Sequence, residues 1–257
     1  MFGWLKRGVG IGASGVLKGA VDCHSHILPA VDDGSRSTEE SLKMLAILEE
    51  QGVSEVWLTP HVMEDIPNTT SGLRGAFETF SALYGGPIKL HLAAENNLDA
   101  LFRERLASGS ERCPAHGGSK ANETGGETEL LTFGERRLLV ETSCLSAPLG
   151  MKDMLAAVRA RGLELVLAHP ERYSYMHGSD YCKLIDNGVQ FQLNIGSLCG
   201  AYGQSAREKA ETMLKSGWYS YAGTDCHRPG DLRRLMDSRL DKKIFEPLER
   251  LIQNQVI

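Results

Sequence analysis

The sequence is poor in cysteine, and its cysteines show no paired spacing. Six cysteines are scattered over 257 residues, and no two of them form a CxxC motif. Disulfide frameworks are typical of small secreted domains, so a chain of this length is better suited to a reducing, cytoplasmic compartment. Cys23 and Cys226 each precede a histidine, and we interpret both as small apolar core residues.

Long apolar runs are also absent. No stretch is long and apolar enough to span a bilayer, which predicts no stable membrane insertion. The first seven residues resemble the start of a signal peptide, but Gly8, Gly10, Gly12 and Gly15 dilute the apolar stretch and no cleavage site follows. We therefore expect residues 1–20 to form a flexible tail that folds onto its own domain or contacts a partner.

Three common kinds of site are missing. The net charge of −5 comes without a basic stripe, which argues against a nucleic-acid partner. The sequence has no GxxxxGK[ST] motif and no GxGxxG after a predicted strand, so no glycine-rich phosphate loop is expected. None of the six cysteines is followed six residues later by arginine, which disfavours the CxxxxxR loop of phosphatases with a cysteine nucleophile.

Alternating strands and helices are present instead. Predicted strands cover residues 21–26, 55–59, 88–95, 137–141, 164–169, 189–194 and 218–223. Predicted helices follow a capping box at Ser37 and Glu40, and then cover residues 71–84, 98–106, 151–161, 180–187, 205–216 and the C-terminal region.

This order predicts parallel βα units in a single domain over residues 21–257. A closed α/β barrel is the expected architecture, with an open doubly wound sheet as the alternative. Residues 107–128 are polar and without apolar periodicity, so they predict a long disordered insertion.

Imidazoles and carboxylates recur where the predicted strands end. His24 and His26 are two residues apart on a strand, so their side chains share one face. The same chemistry returns at the other strand ends, and the full set is His24, His26, Asp33, His61, Glu95, Glu141, His169, Asp225 and His227. Each residue alone could be a cap, an ion pair or a core histidine. Their common position at the carboxyl ends of parallel strands predicts one shared site.

The residue types in this set indicate metal ions. Four carboxylates packed closely cannot all ionise unless cations lie among them. Mixed imidazole and carboxylate ligands suit zinc, manganese or iron rather than calcium. The set is too large for one ion, so it predicts two or three.

Six motifs carry a resemblance to a known family. VDCHSHILPAVDDG, TPH, AAE, VET, AHPERY and GTDCH resemble the polymerase and histidinol phosphatase (PHP) superfamily, and within it the bacterial metal-dependent protein-tyrosine phosphatases of capsule and exopolysaccharide synthesis. The resemblance begins at Val21 and runs to the C-terminus, leaving out most of residues 107–128. It implies a distorted seven-stranded (β/α)7 barrel of PHP type with up to three divalent metal ions, most often manganese, with iron, zinc or magnesium as alternatives.

The resemblance also implies roles for particular residues. All nine ligand positions are filled, with Asp33 favoured over Asp32. Arg172 matches an arginine that contacts the substrate phosphate, and Arg228, Arg233 and Arg234 compete for a second such role. The chain departs from the family at Asn96 and Asn97, where aromatic residues often follow the glutamate, which leaves the substrate preference open.

The expected activity is hydrolysis of phosphotyrosine by a metal-activated hydroxide, with Arg172 holding the phosphate. His61 and His227 are candidate catalytic residues, since a histidine or a metal-bound water would protonate the leaving group. The resemblance implies a tyrosine-kinase tail as substrate. The alternatives are a histidinol-phosphate or other small phosphomonoester phosphatase, a nuclease-like phosphodiesterase, and a binding module without turnover. Metal identity and oligomeric state stay open.

Overall fold

Parallel strands and flanking helices make up the described part of the chain, which is residues 8–108 and 129–257 of a computed structural model. The strands are β1 (Val9–Gly10), β2 (Val21–Ser25), β3 (Glu55–Leu58), β4 (His61–Val62), β5 (Lys89–Leu92), β6 (Glu95–Asn97), β7 (Arg137–Glu141), β8 (Glu164–Ala168), β9 (Gln190–Asn194), β10 (Tyr221–Gly223) and β11 (Arg239–Leu240). The α-helices are α1 (Ile11–Ser14), α2 (Thr38–Glu50), α3 (Thr70–Leu83), α4 (Ala100–Ser108), α5 (Met151–Ala160), α6 (Gly178–Asp186), α7 (Ile195–Leu198), α8 (Gln204–Lys215), α9 (Pro229–Asp237) and α10 (Lys242–Asn254). Every helix in these ranges is too short or too polar to cross a bilayer.

Two parallel sheets form the scaffold. One has six strands in the order β10-β9-β8-β7-β6-β4, and the other has three in the order β2-β3-β5. The strand predicted over residues 88–95 is in fact two strands, because the chain leaves the small sheet after β5 and joins the large one at β6. A similar step at Pro60 separates β3 from β4, and Pro60 has no N–H to extend a ladder. The two sheets contain six and three strands, so the seven-stranded barrel stays a prediction.

The two sheets meet along the edges of β2 and β10. Ser25 and Cys226 form a parallel bridge, and the His26 N–H donates to the Cys226 carbonyl at 3.0 Å. Towards the amino ends of β2 and β10, a side chain bonds the two backbones in place of direct backbone hydrogen bonds. Gln255 donates from Nε2 to the Val21 carbonyl at 2.6 Å and accepts from the Ala222 N–H at 2.9 Å. The sheets therefore curl towards each other, and the C-terminal segment closes the lower part of the seam.

Local signals explain both ends of α2. The Ser37 side chain accepts from the Glu40 N–H, as the predicted capping box requires. The second half of that prediction is wrong, because the Glu40 carboxylate accepts from the Arg36 N–H rather than from that of Ser37. Gly52, with φ of 74°, follows α2 in the left-handed conformation that glycine adopts easily.

Residues 8–20 pack onto the rest of the domain, which is one of the two outcomes expected for the tail. β1 pairs with β11, and Ile11, Val16 and Leu17 are buried in the main core. Burial of these apolar side chains favours the packed state, which is why the described part of the tail is folded. Residues 1–7 and residues 109–128 of the predicted insertion lie outside the described residues.

Two apolar cores support the strands. The larger one lies between the sheets and the helices and includes Cys226. A smaller inner cluster consists of Cys23, Ala93, Phe133, Leu139, Val166, Ala168 and Tyr221. The strand members of this cluster lie one to four positions before a predicted site residue, so the cluster forms an apolar floor beneath the strand ends. Both cysteines that precede a histidine are core residues, as expected from the sequence.

Candidate metal centre

All nine predicted ligands lie at the carboxyl ends of the parallel strands. Their atoms form three groups within which every ligand atom lies within 4.8 Å of the others. The groups are His26, Asp33, His61 and His227; His24, His26 and Asp225; and His61, Glu95 and Glu141. His169 joins the last group through Glu95 Oε1, 3.0 Å from His169 Nε2. Shared members link the groups into one cluster.

Glu95 lies at the centre of the cluster and is fully buried. Its Oε2 atom is 3.3 Å from His24 Nε2, 3.4 Å from His26 Nε2 and 3.1 Å from His61 Nδ1. This oxygen has no hydrogen-bond partner despite being buried, and neither has His61 Nδ1. Such atoms are costly to bury unless something satisfies them.

A metal ion fits this arrangement. Ligands bound at about 2.0–2.2 Å in tetrahedral or octahedral geometry lie about 3–3.6 Å apart, because the ion sits between them. The separations of 3.1–3.4 Å around Glu95 Oε2 fall in that range. The unpartnered atoms face one another as ligands of a shared cation do, so the donor set fits the ions that the sequence predicts.

Three neighbouring groups orient three of the five imidazoles so that their Nε2 atoms face the cluster. Gln192 Oε1 lies 2.9 Å from His24 Nδ1, and Asp32 Oδ2 lies 2.8 Å from His26 Nδ1. His227 Nδ1 lies 2.9 Å from the backbone carbonyl of Asp225. Each acceptor holds the Nδ1 proton and leaves the other nitrogen as the ligand, as is usual around protein-bound metals.

Asp32 and Asp33 have different surroundings although they are adjacent. Asp32 is turned inward, where it accepts from the Gly34 N–H at 2.9 Å and from the His61 N–H at 3.1 Å. Asp33 Oδ1 lies 3.5 Å from both His61 Nε2 and His227 Nε2. Asp33 therefore faces the cluster, whereas Asp32 orients His26 and has a role that the sequence does not reveal. The choice of Asp33 as the ligand stays a prediction.

Two glycines are packed against the first pair of histidines. A Cβ on Gly34 would lie 2.3 Å from the His26 carbonyl oxygen, and one on Gly223 would lie 2.7 Å from His24 Cβ. Real side chains do not tolerate such distances, so both positions require glycine for close approach of the backbone.

Two residues of the cluster have unusual backbone conformations. His169 has φ of 33° and directly follows β8, and Asp225 has φ of 49° and is the second residue after β10. A positive φ in a residue other than glycine costs energy and is concentrated at functional sites. The conformation turns both side chains into the cluster.

The carboxylates and imidazoles perturb one another strongly. Burial opposes ionisation of Glu95, but His24 and His61 outweigh it and hold the pKa of Glu95 well below its usual range. Burial and the nearby His26 lower the pKa of His61, but Glu95 and Glu141 outweigh them and raise it to about 10. The pKa values of His24 and His26 are raised as well, so these three imidazoles hold protons more tightly beside the carboxylates.

A cavity of about 730 Å³ opens over the cluster. Arg172, the predicted phosphate ligand, lines it and donates from Nη1 to Asp225 Oδ2 at 3.2 Å. Of the three arginines that compete for the second role, Arg234 lines the cavity. Arg228 instead donates to the Gly34 carbonyl and lies 3.7 Å from Glu40, and Arg233 is absent from the lining.

Other features of the cavity are not evident from the sequence. Asn194 and Tyr202 line the wall beside Arg172, and neither lies in a motif that indicates the site. Asn96, which stands where the family often has an aromatic residue, is fully buried. It donates to the Ala94 and Leu139 carbonyls and accepts from Arg105, so its contacts are structural.

The chain is similar to known proteins over most of its length. A family model for capsular polysaccharide synthesis, CpsB/CapC, matches residues 20–244. CapC of Staphylococcus aureus is 26% identical over 245 residues, which cover 91% of this chain and 89% of that protein. The tyrosine-protein phosphatase YwqE of Bacillus subtilis is 23% identical over 253 residues, covering 92% of this chain and 93% of that one.

The fold is shared with a protein of known structure. A crystal structure from a study of YwqE and of CpsB from Streptococcus pneumoniae, described as metal-dependent tyrosine phosphatases, superposes with a TM-score of 0.68. The match has 22% sequence identity and covers 92% of this chain and 96% of that chain.

Proposed function

Because the chain belongs to the CpsB/CapC family of capsular polysaccharide synthesis, we propose that it is a metal-dependent protein-tyrosine phosphatase, a hydrolase of phosphoric monoesters. The observation that carries the proposal is the cluster of nine imidazole and carboxylate ligands beneath a cavity lined by Arg172. This combination suits an anionic phosphate monoester, because it offers cation sites and a guanidinium at one mouth.

We propose further that the scaffold is a distorted (β/α)7 barrel of PHP type. β3 with β4, and β5 with β6, can each be counted as one interrupted strand, since β3 pairs with β5 and β4 pairs with β6. The order β2, β3/β4, β5/β6, β7, β8, β9, β10 then returns to β2 through the Ser25–Cys226 bridge.

The three ligand groups would hold two or three divalent ions, with manganese as the expected metal and iron, zinc or magnesium as alternatives. The ions would neutralise the phosphate and activate the attacking water. The chain itself supplies the orientation. Gln192 orients His24 in β2, Asp32 orients His26 directly after β2, and the apolar floor lies beneath the ligands.

Arg172 would bind the phosphate oxygens through a guanidinium that stays charged, since Asp225 outweighs burial and raises the pKa of Arg172. Arg234, which lines the cavity from α9, would supply a second contact. The two candidate catalytic histidines, His61 and His227, are also proposed ligands, and a neutral imidazole that holds a cation has no proton to give. Water in the cavity would therefore protonate the leaving tyrosyl oxygen.

A cysteine nucleophile is disfavoured by the surroundings of the thiols. Cys226 lines the cavity but is buried, and burial raises the pKa of its thiol far above the usual range. Burial also raises the pKa of Cys144 and of Cys199. Since the thiolate is the reactive form, none of these cysteines is activated for attack.

The physiological substrate that we propose is the tyrosine-rich tail of a bacterial tyrosine kinase of capsule or exopolysaccharide synthesis, dephosphorylated in the cytoplasm. A peptide can reach the cluster through the open cavity, where His227, Arg172 and Tyr202 are partly exposed.

The test compares a phosphotyrosine peptide with histidinol phosphate, each with manganese or with EDTA, while bound metals are counted in the same sample. We expect turnover of the peptide with two or three metals per chain, lost with EDTA and spared by iodoacetamide. Glu95→Gln should abolish turnover and metal binding, while Glu64→Gln, at an exposed site, should change neither. Turnover of histidinol phosphate alone would move the substrate to a small molecule. Loss by iodoacetamide without loss by EDTA would refute the metal mechanism.

A further inference from the structure

Tyr202 lies in the turn between α7 and α8, on the wall of the cavity. Its ring lies against the guanidinium of Arg172, with 4.3 Å between the guanidinium carbon and the ring centroid. Its hydroxyl oxygen accepts from Asn194 Nδ2 at 2.9 Å. The hydrogen bond to the hydroxyl therefore fixes the ring, and the guanidinium of Arg172 stacks on the ring face.

Asn194 connects this tyrosine to the metal cluster. The same Nδ2 group donates to Asp225 Oδ2 at 2.6 Å, and Arg172 Nη1 donates to that oxygen as well. Asn194 is itself fixed, because it is fully buried and its Oδ1 accepts from the Gly196 N–H at 2.8 Å. Arg172, Tyr202, Asn194 and Asp225 thus form a closed ring of contacts.

The two oxygens of Asp225 serve different neighbours in this ring. Oδ1 faces His24 Nε2 at 3.5 Å and His26 Nε2 at 3.3 Å, whereas Oδ2 receives Asn194 and Arg172. A long arginine side chain loses considerable rotamer freedom when it is fixed. The stacking on Tyr202 restricts that freedom before an anion arrives, so less of the binding energy is lost on ordering.

We propose that Tyr202, locked by Asn194, is a positioning residue that holds Arg172 in the orientation needed to capture a phosphate group. The inference rests on the proposed function for its biological meaning, but its physical content is the affinity of the site for phosphate. The family resemblance implies a phosphate contact for Arg172, but the sequence does not indicate which residues orient its side chain.

The probe is inorganic phosphate, titrated by calorimetry into the full chain loaded with manganese, beside kcat and KM for a phosphotyrosine peptide. Removing the ring with Tyr202→Leu should weaken phosphate binding about 3- to 12-fold, because Arg172 would then be ordered only when phosphate binds. KM should rise by a similar factor with the metal count unchanged. Tyr202→Phe keeps the ring and should change the affinity by less than about 3-fold. Tyr84→Phe, whose hydroxyl bonds Glu49 away from the cavity, is the matched control and should behave as wild type.

A double-mutant cycle separates positioning from a general structural role. If Tyr202 acts through Arg172, then Tyr202→Leu should cause no further loss of phosphate affinity in an Arg172→Met background. An equal loss in both backgrounds, or a wild-type affinity in Tyr202→Leu, would overturn the inference while leaving any peptide turnover intact. If the wild-type chain binds phosphate in the expected pattern but hydrolyses no peptide, the proposed function fails and the positioning role stands.

Discussion

Replacing Asp32 by asparagine separates the orienting carboxylate from its neighbour, the proposed ligand Asp33. Asp32 receives three hydrogen bonds, from His26 Nδ1, the His61 N–H and the Gly34 N–H, at 2.8–3.1 Å. Burial raises the pKa of Asp32, but the bond from His26 outweighs it, and the net effect lowers the pKa below its usual range. The carboxylate is therefore ionised in the folded chain at neutral pH.

An asparagine side chain has one acceptor oxygen where the carboxylate has two. At least one of the three donors would then face an NH2 group, and a buried donor left in that way costs about 1–3 kcal/mol. The His26 imidazole would also lose the acceptor that fixes its Nδ1 proton. Loss of such an orienting partner typically lowers metal affinity about 10- to 100-fold.

The assay is a competition titration of manganese against a chelating dye, with thermal unfolding of the metal-free chain alongside. Asp32→Asn should bind all its metals more weakly, and the metal-free chain should unfold more easily. The loss of stability should be full above pH 4–5 and shrink at lower pH, because a lowered pKa contributes stability that is lost as pH falls.

Asp33→Asn should lose metal binding with little change in the stability of the metal-free chain, since Asp33 is 63% exposed. Asp65→Asn, at an exposed loop position, is the control. Equal metal affinity in Asp32→Asn and wild type, or the same stability loss in both aspartate variants, would refute the division of roles.

Three further outcomes follow from the geometry. Gly34→Ala should lower metal occupancy and the free energy of unfolding, because its Cβ would lie 2.3 Å from the His26 carbonyl oxygen. The control Gly75→Ala in α3 should raise the free energy of unfolding by about 0.5–1 kcal/mol. Circular dichroism melts and metal analysis compare the two variants, and a Gly34→Ala chain with wild-type stability and full metal occupancy would contradict the packing. Metal uptake should release protons and weaken as pH falls, because His61, with a pKa of about 10, must lose its proton to bind a metal ion. Calorimetry in two buffers of different ionisation enthalpy measures the number of protons released. Identical binding enthalpies in the two buffers would contradict the prediction. Gln255→Ala should cost about 1–3 kcal/mol in denaturant unfolding, since the Val21 carbonyl and Ala222 N–H lose their partner, and an unchanged midpoint would show that water replaces the amide.

The positions of the site residues could be predicted from the sequence because each of them lies at or near the carboxyl end of a predicted parallel strand. Parallel strands place their carboxyl ends at one edge, so His24, Glu95 and Asp225 could be predicted as neighbours although more than a hundred residues separate the first from the last. The structure brings all nine predicted residues into one cluster, and their metal-binding role stays a prediction.

Residues that orient the site were harder to predict. Asn194 ends β9 and Tyr202 lies between α7 and α8, so both are distant in sequence from Arg172. They contact each other and Asp225 only in the folded chain, and no local pattern marks an asparagine that orients a site. The strand break before Glu95 was missed because residues 88–95 read as one apolar segment, while hydrogen bonding to two different sheets divides them. Residues 8–20 are expected to fold onto the domain or to contact a partner, and the sequence does not show where they dock, because the distant β11 and α9 provide their packing surface.

The distribution of the cluster over the two sheets has a mechanical consequence. His24 and His26 come from the β2 side, whereas Glu95, Glu141 and Asp225 come from strands of the six-stranded sheet or its loops. Any cation shared by these groups would fasten the two sheets together at their upper edge, as Gln255 does lower down. Such a clasp adds stability in proportion to the logarithm of free metal, about 4 kcal/mol at a thousand times Kd. The cell's supply of metal would then set the lifetime of the protein as well as its activity.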